Sequence, residues 1–149
     1  MTIDAANLYF ETLNHQVRCT GDEEILIDHC CGQRFIGAGS RDKHIVITGT
    51  RIDVHGNAQD AIGDTMNDGL ICVYGHAGDA CGYAMRGGKI FVRDSAGYRT
   101  GIHMKEYRDK KPVIIVGNEV GSFFGEYQAG GVLVVLGMHS EKRTPVVYY

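Results

Sequence analysis

The chain has no tryptophan, only two prolines and no excess of positive charge. Fifteen lysines and arginines face eighteen aspartates and glutamates, a formal charge of −3. The broad basic surface that nucleic acid or an anionic membrane calls for is therefore missing. No run approaches the roughly 20 apolar residues of a membrane-spanning helix. Met1-Thr2-Ile3-Asp4 carries an acid and lacks the basic-then-apolar order of a secretion signal. No C-x-x-C pair occurs. Cys19, Cys30, Cys31, Cys72 and Cys81 are an odd set, read as reduced thiols of a cytoplasmic protein and not as a disulfide framework.

Glycine is what the sequence has in quantity: 21 of 149 residues, about twice the roughly 7% of ordinary chains. With 44% apolar and 22% charged residues, the composition is that of a folded domain and not of a disordered one. The glycines are placed for geometry. Gly63, Gly82 and Gly101 stand 19 apart, as do Met66, Met85 and Met104, and Ala58, Ala77 and Ala96. Gly56 and Gly75, Asp60 and Asp79, Gly69 and Gly88, Ile71 and Ile90, and Val73 and Val92 keep the same interval. A fixed period of this kind governs the fold before any local signal does.

A fourth copy carries an insertion. Gly101 to Gly125 is 24 residues, five more than the period, and the extra charged residues fall around Tyr107 to Lys111. Gly131, Leu133, Val135 and Gly137 then restore the pattern. Each copy holds one β-branched run (Leu70 to Tyr74, Lys89 to Arg93, Val113 to Val116, Val132 to Leu136), a strand by composition and length. Stacked about 4.8 Å apart, such units predict an all-β fold: a single-stranded right-handed parallel β-helix with 19-residue coils. Its alanines and methionines would stack along the interior. A leucine-rich repeat needs an L-x-x-L-x-L spacing that is absent here.

The ends differ from the middle. Asp4 to Arg18 reads as a capping helix, with Asp4 at its start, Ile3, Leu8, Phe10 and Leu13 on one face and Gly21 as its stop. That gives one domain over 1–149, with a helical cap at 1–21 and coils at 22–149. Glu24 to Asp28 reads as a strand, and Gly32 to Gly37 as a turn. Between Ile45-Val46-Ile47-Thr48-Gly49 and Ile52-Asp53-Val54-His55-Gly56 the closing glycines are seven apart, which predicts a shortened or missing coil. The terminal Pro145-Val146-Val147-Tyr148-Tyr149 is apolar. An open β-helix end invites association, so Val146, Val147, Tyr148 and Tyr149 are interface candidates. A homo-oligomer is the expectation for the isolated chain.

Chemistry is sparse. No G-x-x-x-x-G-K-[ST] occurs, and Gly37-Ala38-Gly39 lacks the third glycine and helix of a dinucleotide fingerprint. His29-Cys30-Cys31 would alternate faces on a strand, and Cys72 and Cys81 read as buried thiols. His76, His103 and His139 have no carboxylate or serine series beside them, so they read as corner or surface histidines and not as general bases. Asp60 and Asp79 stack one period apart and could share a cation, although capping their own turns is the stronger reading. In the mixed-charge insertion, Lys105, Tyr107, Arg108 and Lys110 are the second set of interface candidates.

Gly56-Asn57-Ala58-Gln59-Asp60-Ala61-Ile62-Gly63, Gly75-His76-Ala77-Gly78-Asp79 and Ala84-Met85-Arg86-Gly87-Gly88 resemble the glycine-repeat (GXGXG) domain of the glutamate synthase large subunit. So do Gly32-Gln33-Arg34-Phe35-Ile36-Gly37 and Gly101-Ile102-His103-Met104-Lys105-Glu106-Tyr107. The resemblance is closest to the stand-alone form in which the large subunit is split into separate polypeptides. It implies a β-helix packed between amidotransferase and FMN-synthase subunits. It implies no catalytic, FMN or iron–sulfur residue in this chain, the FMN and clusters residing on the partners. The glycine-repeat subunit of formylmethanofuran dehydrogenase is a more distant relation. A self-sufficient enzyme using a β-helix face is the rival of another class, but it would need clustered carboxylates or aromatics across several coils.

Overall fold

The computed structural model describes residues 1–31, 33–36, 38, 51–138 and 146–148. Among these, eight strands form one sheet in chain order: β1 (Thr2–Asp4), β2 (Glu24–Cys31), β3 (Arg51–Asn57), β4 (Leu70–Val73), β5 (Lys89–Val92), β6 (Val113–Val116), β7 (Val132–Val135) and β8 (Val146–Tyr148). β1 to β7 run parallel, each beside the next, and β8 pairs antiparallel with β7. One helix, α1 (Phe10–Cys19), lies between β1 and β2. Apart from this helix, the regular structure among the described residues is all β.

The sequence period is the pairing register. Arg51 faces Leu70, Leu70 faces Lys89 and Val113 faces Val132, each 19 residues on. Lys89 faces Val113, 24 on, so the insertion lies inside this step. Alternate strand residues turn inward. Ile52 and Val54, Ile71 and Val73, Ile90 and Val92, and Ile114 and Val116 are all buried, and Leu133 continues the first row. Each such side chain contributes roughly 1.5–3 kcal/mol on burial, and the rows run unbroken from strand to strand.

A rung, meaning one strand with the loop that follows it, carries three further inward positions. Ala58, Ala77 and Ala96 form one row, Ile62, Cys81 and Thr100 a second, and Met66, Met85 and Met104 a third, all buried. The fourth rung fills these places with Val120, Phe124 and Gln128, all half-buried. Each loop corner alternates left-handed residues, as at Ala80 (φ 54°), Gly82 (φ 69°) and Ala84 (φ 50°). Their N–H groups zip the rung to both neighbours. Ala80 donates to the Tyr98 carbonyl (2.7 Å), Gly82 back to that of Ile62 (2.7 Å), and Ala84 to that of Ile102 (2.9 Å). Left-handed backbone costs a non-glycine residue about 1–2 kcal/mol, which these inter-rung bonds offset.

Four expectations need correcting. The N-terminal helix does not begin at Asp4. Thr2-Ile3-Asp4 alternates exposed, buried, exposed and pairs with β2, a period of two where the sequence pattern suggests 3.6. Asp4 accepts the Ala6 N–H (3.0 Å), and Tyr9 stands at the helix start without a side-chain cap. The helix stops at Cys19, with Thr20 extended (φ −69°), and no left-handed glycine ends it. No coil is shortened before Gly56, because β2 pairs directly with β3, Glu24 facing Arg51 27 residues on. That rung is lengthened, and the Ile45–Gly49 run that suggests otherwise lies outside the described residues. At the other end, β7 is flanked by β8 of the same chain, so residues 146–148 extend the sheet; Tyr149 is outside the described residues.

Candidate interaction surface

The outward face of the sheet divides into a polar and an apolar half. On β2 to β4, Arg51 Nε lies 2.7 Å from Asp53 Oδ2, and the Tyr74 hydroxyl donates to Asp53 Oδ1 (3.2 Å). The Arg51 guanidinium holds the Asp53 carboxyl below the usual carboxylate range. His55 Nδ1 stands 3.1 Å from Asp28 Oδ1, and its ring meets that of Tyr74 edge-on at 4.9 Å. Burial, and then the Asp53 charge, push the Cys72 thiol up. This raises the cost of making it a nucleophile. On β5 to β7 the same face carries Phe91, Val113, Ile115, Val132 and Val134, half-buried. Leu136 and Met138 lie beyond them at 38% and 52% exposure.

The loops carry a different pattern. His103 stacks on Tyr127 (5.0 Å, 14°) and meets Tyr83 edge-on (5.8 Å), so three rungs contribute to one exposed aromatic column. Next to it Arg99 lies over the Phe123 ring at 5.5 Å and 3.6 Å from Glu126. The period does not announce the column, because Tyr83 is offset one residue from the His103 series. The available signal is Tyr127, one inserted unit after His103. His76 stands 4.0 Å from Asp94, and His139 lies outside the described residues.

Asp60 and Asp79 reach across rungs and do not cap their own turns. Asp60 Oδ1 accepts the Asp79 N–H (3.0 Å), and Asp79 Oδ1 accepts that of Tyr98 (2.8 Å). Asn57 does the same for His76 (2.9 Å). Gly97 lets the rungs approach, since a Cβ there would collide with Asp79 Oδ1. In the corner after β3, amides of the kind that cradle a phosphate are spent on neighbouring carbonyls: Ala61 on Asp79, Gly63 on Ile36 and Thr65 on Tyr83. Among the described residues no group of three or more His, Cys, Asp or Glu gathers around a point. Nor is any helix among them long and apolar enough to cross a membrane.

The structure places the remaining predicted positions as follows. Gly56 is the last residue but one of β3, with φ 127°, Gly75 follows β4, and Gly63, Gly82, Gly101 and Gly125 hold φ 66–73° at the corners. In the insertion, Tyr107 and Lys110 close a small antiparallel bridge, and Arg108 lies over the Tyr107 ring at 5.1 Å. Lys105 pairs through its backbone with Ala129. Lys110 reaches back along the stack. Its Nζ reaches the Asn67 carbonyl (3.2 Å) and Asp68 (3.1 Å), two rungs earlier. Cys81 is fully buried, which pushes its thiol up to about 12. Cys19 is exposed on α1.

Comparison with known proteins adds three findings. The GXGXG motif family model matches residues 32–144. An uncharacterised protein of Methanocaldococcus jannaschii, MJ1350, is 45% identical over 155 aligned positions. These cover 91% of this chain, which spans only 59% of that relative's length. No solved structure matches.

Proposed function

The chain belongs to the GXGXG motif family, and on that premise we propose that it is the non-catalytic scaffolding subunit of a split glutamate synthase. In this reading the stacked rungs form a right-handed parallel β-helix, since parallel crossovers are right-handed in about 98% of cases. The helix packs between an amidotransferase subunit and an FMN-synthase subunit, and the FMN and iron–sulfur clusters sit on those partners. The observation that carries the reading is that the family match, residues 32–144, takes in the repeated rungs from β3 to β7. The apolar half of the sheet face, from Phe91 to Met138, supports it as a surface suited to burial against another protein.

Co-expression tests the proposal. This chain, an amidotransferase chain and an FMN-synthase chain from the same genome are produced together and separated by size exclusion. Glutamine-dependent glutamate formation from 2-oxoglutarate is then measured with and without this chain. The expected result is co-elution of all three, and loss of the glutamine-dependent reaction when this chain is withheld. Partners that assemble and turn over fully without it would refute the role.

A further inference from the structure

The loop side of the stack ends on a row of backbone donors that no described residue uses. In the inner rungs three N–H groups per loop point to the next rung. Ala77, Ala80 and Ala84 donate to the carbonyls of Ser95, Tyr98 and Ile102 (2.9, 2.7 and 2.9 Å). Ala96, Arg99 and His103 donate to Glu119, Ser122 and Glu126 (3.0, 2.9 and 2.9 Å). The matching groups of the fourth rung belong to Val120, Phe123 and Tyr127, and among the described residues none has an acceptor. Beside them Phe123 and Tyr127 are 55% and 70% exposed. The inward positions Val120, Phe124 and Gln128 are only half-buried where the three preceding rungs bury theirs. The strand side is different, because there β8 flanks β7.

We propose that residues 119–128 are a docking edge for an extended, glycine-rich segment of a different polypeptide. The segment lies parallel to the fourth rung and adds the loop half of a fifth. The ladder itself specifies this occupant. The rungs of β4, β5 and β6 each meet their predecessor through three carbonyls spaced three and then four residues apart, as in Ser95, Tyr98 and Ile102. A left-handed corner glycine precedes the third. A second copy stacked end to end does not supply such a row, because α1 sits on the β2 rung at its other end. Asn14 Nδ2 donates to the Arg34 carbonyl (2.7 Å), and Gln33 Nε2 reaches the carbonyls of Ala5 (2.8 Å) and Leu8 (3.3 Å). Backbone pairing of this kind gives affinity, and the side chains along the edge give selectivity. Phe123 and Tyr127 are the rings that such a segment would cover. The inference stands whichever enzyme the chain serves.

The probe is a synthetic peptide with the sequence of residues 94–106, one rung's loop, added to the full-length ¹⁵N-labelled chain. In the free chain the amides of Val120, Phe123 and Tyr127 should exchange at least about 100-fold faster than those of Ala96, Arg99 and His103. Millimolar peptide should slow the three by about tenfold or more and shift resonances mainly within residues 118–128. Val120→Pro deletes a donor that no described contact uses. It should leave Tm within about 2 °C and weaken peptide binding about fivefold or more. Should that variant fail to fold, Phe123→Asn keeps a left-handed-tolerant residue and removes the exposed ring; the same loss of binding is expected. Slow exchange of the three amides in the free chain would overturn the proposal. So would absent or scattered shifts with peptide, or protection that grows with protein concentration alone, which would make a second copy the occupant.

Discussion

Gly82→Ala is the most informative single change. At φ 69° a Cβ costs about 1–2 kcal/mol against glycine. The same Cβ points into the stack and collides with Ile114 Cδ1, with Ile90 Cδ1 3.6 Å away. Overpacking of a filled core adds about 1–3 kcal/mol, so the total is about 2–5 kcal/mol. For a chain of this length that is a fall in Tm of about 5–20 °C. The two contributions separate in a double-mutant cycle. Ile114→Val alone opens a small cavity and costs about 0.5–1.5 kcal/mol. In the Gly82→Ala background it removes the colliding methyl, and the pair should be more stable than the sum predicts by about 1 kcal/mol or more. Calorimetric melting of the four proteins checks this, with Gly21→Ala as a control: nothing lies within 4 Å of a Cβ there, and its φ is not left-handed. A Gly82→Ala protein that melts with the wild type would refute the corner geometry. Strict additivity with Ile114→Val would refute the contact.

The thiols should react in the order of their burial. In native protein labelled with a maleimide and mapped by mass spectrometry, Cys19 should react readily and Cys81, held near 12 by burial, only after denaturation; rapid native labelling of Cys81 would show that the interior row is open. Among the described residues Asp64 is the carboxyl with a poor fit, its Oδ1 buried with no hydrogen-bond partner and its ionisation pushed up by burial. A group whose folded value exceeds its unfolded one destabilises the fold as pH rises through that value. Asp64→Asn should therefore raise stability near neutrality by at most about 1 kcal/mol, solvent screening being substantial at a half-buried group. The gain should vanish near pH 3, below the ordinary carboxyl value of 3.8; an equal gain at both pH values would point to packing instead of charge.

The parts of the fold that are legible in the sequence are those repeated in it. Ile71 and Ile90, Met66 and Met85, and the 24-residue step to Gly125 state the register and locate the insertion, because every rung makes the same demands at the same place. Single elements are not legible. Thr2-Ile3-Asp4 offers one inward side chain, too little to separate strand from helix, and the helix signal that begins at Phe10 spreads over it. Ile45-Val46-Ile47 has the composition of a rung strand, which hides the length of the β2 rung. The carboxylates of Asp60 and Asp79 suit their own turns by residue type, whereas their partners are 19 residues on. The aromatic column needs three rungs and an offset, so no single window contains it.

The reach of Lys110 back along the stack has a consequence for how the protein comes apart. Stacked units that touch only their neighbours melt from the ends, one after another, with free energies that sum along the stack. Lys110 ties the third interval of the ladder to Asn67 and Asp68, more than 40 residues earlier, and crosses over Gly87, where any Cβ would crowd it. The expected effect of this tie is that the units between open together more readily than the rungs that flank them. Native-state hydrogen exchange would then find a plateau of equal opening energies across residues 66–110 instead of a gradient. The insertion that breaks the period thus also supplies a contact that skips a rung.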